Sequence, residues 1–248
     1  MALRAVIFDY GHTLVDFRLA EDALLDAYEQ ISQMLTAQAY QEVPEAPVFV
    51  AQITRKIESQ VQESYGRGEL EELDIVVLFE QALGALGLQL PRELVRQIAE
   101  LEHRAMVSEL TMAAENLAVL RDLKDLGLRL GLVSNAHFLP HLMREDIERL
   151  GIAQYLDASI FSAEIGVRKP HPSIFRNVLE AIPVQRQDAA FVGDRLRDDI
   201  AGATSLGMRG ILTRQYRQEE LDERVARPDL VIDRLPDLMP WVREQMAG

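Results

Sequence analysis

The chain has 248 residues, 48% of them hydrophobic and none of them cysteine; it can bury one sizeable core or a core plus an inserted domain, and it excludes a disulfide framework and thiol chemistry. Twenty-six basic residues against 40 acidic ones leave a net charge of −14, which argues against nucleic-acid binding through a general basic surface. No stretch reaches the roughly 20 apolar residues a membrane helix needs, and the apolar run Ala5 to Phe8 ends at a charge, so neither membrane span nor signal peptide is expected and the expected location is cytoplasmic.

In chain order, Ala5-Val6-Ile7-Phe8 comes first. A run this apolar reads as a buried parallel strand, and it delivers Asp9 into a Gly11-His12-Thr13 turn at the edge where open α/β sheets bind ligands. From about Leu19 to Ser108 the pattern becomes helical throughout. Leu24, Leu25, Tyr28, Ile31, Met34 and Leu35 recur at helical spacing and share one face. A second run carries Val50, Ile53, Ile57 and Val61, and Gly66 and Gly68 break it before a third around Val76, Val77 and Leu83. Pro91 opens a fourth with Leu94, Ile98 and Leu101. Four amphipathic helices predict a bundle. Between Phe17 and Ser108, 16 acids against 7 bases give a net charge of −9, so this bundle does not grip a polyanion over a wide face.

From Ala113 helix and strand alternate, which predicts a parallel sheet. A helix over Ala114 to Leu126 precedes strand Arg129 to Ser134; a helix over Leu139 to Leu150 precedes a short strand near Ser159 to Ser162. Pro172 opens a helix to about Ala181, strand Ala189 to Val192 leads into an acidic loop, and a helix is expected from Asp198 to Leu206. Strands Arg209 to Leu212 and Leu230 to Ile232 close the sheet, and Trp241 lies on a final helix. The fold class is therefore α/β, a Rossmann-like parallel sheet core (1–16 and 110–248) with an inserted α-helical bundle (17–109).

Four stretches meet at one end of such a sheet. Asp9 is a candidate nucleophile; a lone Asp could instead cap the following turn, a reading that the three other motifs make the lesser one. Ser134-Asn135 offers a hydroxyl and an amide at a strand end, and Lys169-Pro170 a point charge that offsets a carboxylate and a phosphoryl group. Asp194, Asp198 and Asp199 supply hard oxygen donors suited to Mg, while Asp198 and Asp199 could also simply begin a helix. Arg168, Arg195 and Arg197 could reach a substrate or be surface charges.

The order Asp9 to Thr13, then Ser134-Asn135, then Lys169-Pro170, then Gly193-Asp194 to Asp199 resembles the haloacid dehalogenase (HAD) superfamily, whose commonest members are Mg-dependent phosphatases. The resemblance covers nearly the whole chain and makes the helical insertion a cap, a lid over the catalytic face. It implies an aspartyl-phosphate on Asp9 and Mg held by Asp9, Asp194 and the backbone carbonyl of Gly11, with Asp199 and Asp198 on metal-bound water. It also implies Ser134 and Lys169 on the phosphate, supported by Thr13 and Asn135, and a small phosphorylated metabolite as partner.

One position departs from the pattern: Gly11 stands where the phosphatases carry a second Asp. In them that residue gives its carbonyl to Mg and its side chain as acid and base. Glycine keeps the first and deletes the second, a contribution typically worth roughly 10²- to 10⁴-fold. His12 and His137 are the histidines within the motifs that could substitute. The expected function is hydrolysis of a small phosphate ester. A phospholigand-binding descendant with impaired turnover and a haloacid dehalogenase-like hydrolase are the alternatives, and a phosphonatase lacks its Schiff-base lysine here.

Overall fold

The structure, a computed structural model, describes residues 2–18 and 20–247. Leu19, where the helical segment was expected to begin, lies outside them. The chain divides into two compact units: Met1–Asp16, Thr111–Ala136 and Met143–Gly248 form the first, Phe17–Leu110 and His137–Leu142 the second.

The first unit is built on a six-stranded parallel sheet of β1 (Ala5–Phe8), β2 (Arg129–Ser134), β3 (Ala158–Phe161), β4 (Ala189–Gly193), β5 (Arg209–Thr213) and β6 (Leu230–Ile232), in the order β3-β2-β1-β4-β5-β6. Burial follows position in the sheet. All residues of central β1 and β4 are buried, whereas edge strands β3 and β6 keep partly exposed residues, because only central strands are covered by strands on both sides. Strand order reverses between β1 and β4, which pair in register from Ala5 with Ala189 to Phe8 with Val192. That is the switch point of a doubly wound sheet.

The long helices of the second unit are α1 (Glu21–Ala37), α3 (Arg55–Gly66), α4 (Ile75–Ala85) and α5 (Arg92–Met106), with a short α2 (Ala46–Phe49) ahead of α3. A wider π-helical turn, Val50–Thr54, joins α2 to α3, so the second apolar run is not one regular helix. Asp74 caps α4, its carboxylate accepting from the backbone N–H of Val76 at 2.8 Å. Tyr28, Phe49, Phe79, Leu83 and Ile98 meet in this unit's own apolar core.

His137–Leu142, assigned to the core domain by sequence, belongs to this helical unit instead. Leu139 and Leu142 join its core, the Phe138 ring meets His103 edge-on at 4.9 Å, and His141 Nε2 lies 3.3 Å from Glu100.

In the first unit, α6 (Ala114–Asp125), α7 (Pro140–Arg149), α8 (Ser162–Ile165), α9 (Pro172–Ala181), α10 (Gly202–Ser205) and α11 (Leu238–Ala247) complete the helix set, α7 beginning within the segment just described. Helix α9 packs on the sheet through Ile174, Phe175 and Val178, against Ile7, Val133 and Phe191. Gly131 allows this approach: a Cβ there would lie 2.7 Å from the Val178 side chain. The helix expected from Asp198 to Leu206 is a π-helical turn, Leu196–Ala201, followed by α10. None of the described helices is long and apolar enough to cross a membrane.

Candidate active site

The site lies at the carboxyl ends of β1, β2 and β4. Asp9 follows β1, and its backbone N–H donates to the Val192 carbonyl at 2.9 Å, so the sheet ladder continues to this carboxylate. Thr13 Oγ1 donates to Asp9 Oδ2 at 3.1 Å from the turn below. Lys169 Nζ donates to Asp9 Oδ1 at 2.6 Å and to the Val133 carbonyl at 3.1 Å, and pairs with Asp199 Oδ1 at 2.7 Å. All of these side chains are buried.

Asn135 fixes the lysine loop. Its Oδ1 accepts from the Lys169 backbone N–H at 2.7 Å and its Nδ2 donates to the Lys169 carbonyl at 3.1 Å, a two-way clasp across 34 residues of sequence. Ser134, the last residue of β2, is buried. Ser162 Oγ accepts from the Ala136 backbone N–H at 2.7 Å and holds the loop beyond it.

Asp194 follows β4 and is buried, and Asp199 turns back toward it because its Oδ2 accepts from the Arg195 backbone N–H at 2.9 Å. This fold-back requires glycine at 193, where a Cβ would lie 2.3 Å from the Asp199 carboxyl carbon. Carboxylate oxygens of Asp9, Asp194 and Asp199 come within 4.8 Å of one another. Asp199 therefore stands in the carboxylate group itself, while Asp198, also buried, pairs with Arg195 at 3.6 Å.

Gathered carboxylates repel one another, and Asp194 and Asp199 are both shifted in that direction. Burial, then the charges of Asp9 and Asp199, push Asp194 well above the usual carboxylate range, against the pull of Arg217 and Lys169. Asp199 is raised by burial and by Asp9 despite Lys169. Burial works against the Lys169 ammonium, but the charges of Asp199 and Asp9 outweigh it and its pKa rises, so it stays charged. Buried anionic oxygens in excess over buried cations are what a hard divalent cation satisfies, and this donor set fits Mg.

The remaining expected residues fall differently. Gly11 is partly exposed and bridges to Val15. His12 takes a left-handed backbone (φ 57°) and its Nδ1 lies 3.4 Å from Asp16. Burial, then Arg217, lowers its pKa, with Asp16 opposing. His137 lies in the helical unit with its ring 4.3 Å from Phe138. Arg168 is fully buried rather than a surface charge, and Arg197 is exposed. The residue that sequence reasoning missed is Arg217, whose Nε lies 2.5 Å from Asp194 Oδ2. It sits in a polar loop with no motif around it, and no sequence signal marks it.

A doubly wound parallel sheet with a buried Asp-Lys-Asp constellation at its switch point defines a class of α/β hydrolases. The chain belongs to the haloacid dehalogenase-like hydrolase family, whose match spans residues 3–207. It is 30% identical over 245 residues to a glyceraldehyde 3-phosphate phosphatase of Methanopyrus kandleri, covering 98% of each chain. Among solved structures it is similar to a 2-haloacid dehalogenase of Pseudomonas syringae (25% identity, TM-score 0.66, 98% and 99% of the chains covered) and to a HAD phosphatase of Thermococcus onnurineus (22%, 0.60, 97% and 98%).

Proposed function

We propose that the protein hydrolyses a small phosphate ester through Asp9. The observation that carries this reading is the buried group in which Lys169 Nζ sits 2.6 Å from Asp9 Oδ1 while Asp194 and Asp199 gather beside them. The phosphatase named among the relatives supports the substrate class.

An Asp9 oxygen attacks phosphorus, the ester P–O bond breaks, and the leaving group departs with that electron pair. Water then attacks the aspartyl-phosphate, releasing inorganic phosphate and the free carboxylate. Lys169, with its donors directed at Asp9, Asp199 and the Val133 carbonyl, fixes the nucleophile and offsets its charge. Thr13 orients the other Asp9 oxygen, and the Ser134 hydroxyl at the end of β2 is available to the transferring group. Mg would be held by Asp9, Asp194 and the Gly11 carbonyl, with Asp199 adjacent and Asp198 further out; when bound it supplies positive charge to the phosphoryl oxygens.

Gly11 specifically favours a second reading, a protein that binds phosphoryl ligands with little turnover, because no carboxylate at that position serves as acid or base. A screen of phosphate release over many esters, with and without Mg and beside Asp9→Asn, separates the two. Activity that requires both Mg and Asp9 supports the hydrolase; no release with tight phospholigand binding supports the second reading. Halide release from 2-haloacids without Mg would instead favour a dehalogenase, in which the gathered carboxylates have no evident use.

A further inference from the structure

The acidic group carries two cations, of different kinds. Lys169 is buried and in direct contact with Asp9 and Asp199. Asp194 pairs instead with Arg217, whose Nε lies 2.5 Å from its Oδ2, at an angle that makes no hydrogen bond. The Arg217 side chain is one-third exposed, with 34% of its surface open against 3% for Asp194. It is thus the cation that reaches the group from the solvent side.

The backbone around it is pinned. Gln215 donates through Nε2 to Asn116 Oδ1 at 3.1 Å, and its Oε1 accepts from the Leu235 backbone N–H at 2.7 Å. The Tyr216 hydroxyl accepts from the Ala113 backbone N–H at 2.9 Å and from Asn116 Nδ2 at 3.2 Å. Two residues on, Glu219 Oε1 accepts from the backbone N–H of Leu196, in the Asp194 loop itself, at 3.2 Å. With both flanks tied down, the long Arg217 side chain is the part left to move. Its guanidinium cannot be neutralised at any working pH, so it leaves Asp194 only by swinging away.

We propose that Arg217 is a tethered cation that occupies the divalent metal's place at Asp194 and withdraws when the metal binds. A divalent ion taking Asp194 Oδ2 would meet the Arg217 charge, which lies 2.5 Å from that oxygen, and the like charges repel unless the arginine withdraws. Each metal-binding event therefore includes breaking the Arg217 contact, and metal affinity is lowered by the fraction of molecules in which the arginine is seated.

This inference rests on the divalent-cation reading above. The test is calorimetric titration of Mg into the full-length protein and into Arg217→Met, Arg217→Lys and Asp194→Asn. Met keeps the stem and deletes the charge, so Arg217→Met is expected to bind Mg roughly tenfold more tightly than the parent, with Arg217→Lys between them. The gain in melting temperature on adding Mg rises in the same order. Unchanged or weaker binding by Arg217→Met, with Asp194→Asn losing binding, overturns the role of Arg217 and leaves the metal site standing. Absence of binding in both parent and Arg217→Met overturns both.

Discussion

Two glycines determine what this site can do, and they act in opposite ways. Gly193 admits Asp199 into the carboxylate group, since any side chain there would occupy the space of its carboxyl carbon. On the proposed mechanism, Gly11 leaves out the side chain that would protonate the leaving oxygen and activate water. His12 is poorly suited to replace it: burial, then Arg217, lower its pKa and so favour the neutral ring over the imidazolium, and its Nδ1 lies 3.4 Å from Asp16. The rate should then depend on how well the leaving group departs unaided. Aryl phosphates leave as stable anions, whereas alkyl phosphates need a proton. Gly11→Asp is expected to raise alkyl-ester kcat/KM by up to roughly 10²- to 10⁴-fold and aryl-ester kcat/KM far less. A parent whose kcat/KM is already insensitive to leaving-group pKa would mean another residue transfers the proton.

At the scale of elements, what the sequence made legible was hydropathy at regular spacing. Leu24, Tyr28, Ile31 and Leu35 of α1 are buried as their period requires, and the fully apolar strands β1 and β4 are central. The motif loops were readable because Asp9, Ser134, Lys169 and Asp194 each end or follow an apolar strand or carry a distinctive neighbour. Hidden were features that depend on partners distant in sequence. On α5, Leu101 is only partly buried while Glu102 is fully buried, because the Tyr28 hydroxyl donates to Glu102 Oε1 at 2.8 Å and Thr54 Oγ1 donates to the same carboxylate. The π-helical turn at Val50–Thr54, unreadable from spacing, is where this Thr54 stands. Burial pushes Glu102 up to about 7, partly offset by the Thr54 and Tyr28 hydrogen bonds. A folded-state pKa above the unfolded value means that folding favours the protonated form. Stability is therefore lost as pH rises from about 4.5 through about 7, by roughly 3 kcal/mol in all. Glu102→Gln keeps the acceptor and removes the titration, so its stability relative to the parent should increase over that window and level off above it. Urea denaturation of both proteins at pH 5 and pH 8 measures this, and parallel pH profiles would refute it.

For the whole molecule, the chain leaves the sheet unit after Asp16 and returns at Thr111, then leaves it again for the short stretch His137–Leu142; Asp16 and Thr111 exchange backbone hydrogen bonds of 2.8 and 3.1 Å. Each unit has its own apolar core, so the crossings should be cut before the helices are. Trypsin is expected to nick first at exposed Arg18, just past the paired crossing, and early cuts within α1, α3, α4 or α5 would argue against separate units. Asp9 and the acid/base side chain absent at position 11 meet in one proposed step, breakdown of the aspartyl-phosphate. On the proposed mechanism, water attacking the aspartyl-phosphate has no base at position 11, so the intermediate is expected to accumulate. The most direct measurement mixes the protein and Mg with an aryl phosphate labelled at phosphorus, quenches in acid during the first turnover, and counts label bound to protein. Label is expected to approach one per chain on the peptide carrying Asp9, to be absent with Asp9→Asn, and to fall with Gly11→Asp as breakdown quickens. Phosphate released at the same rate with no label on Asp9 at any time would contradict it.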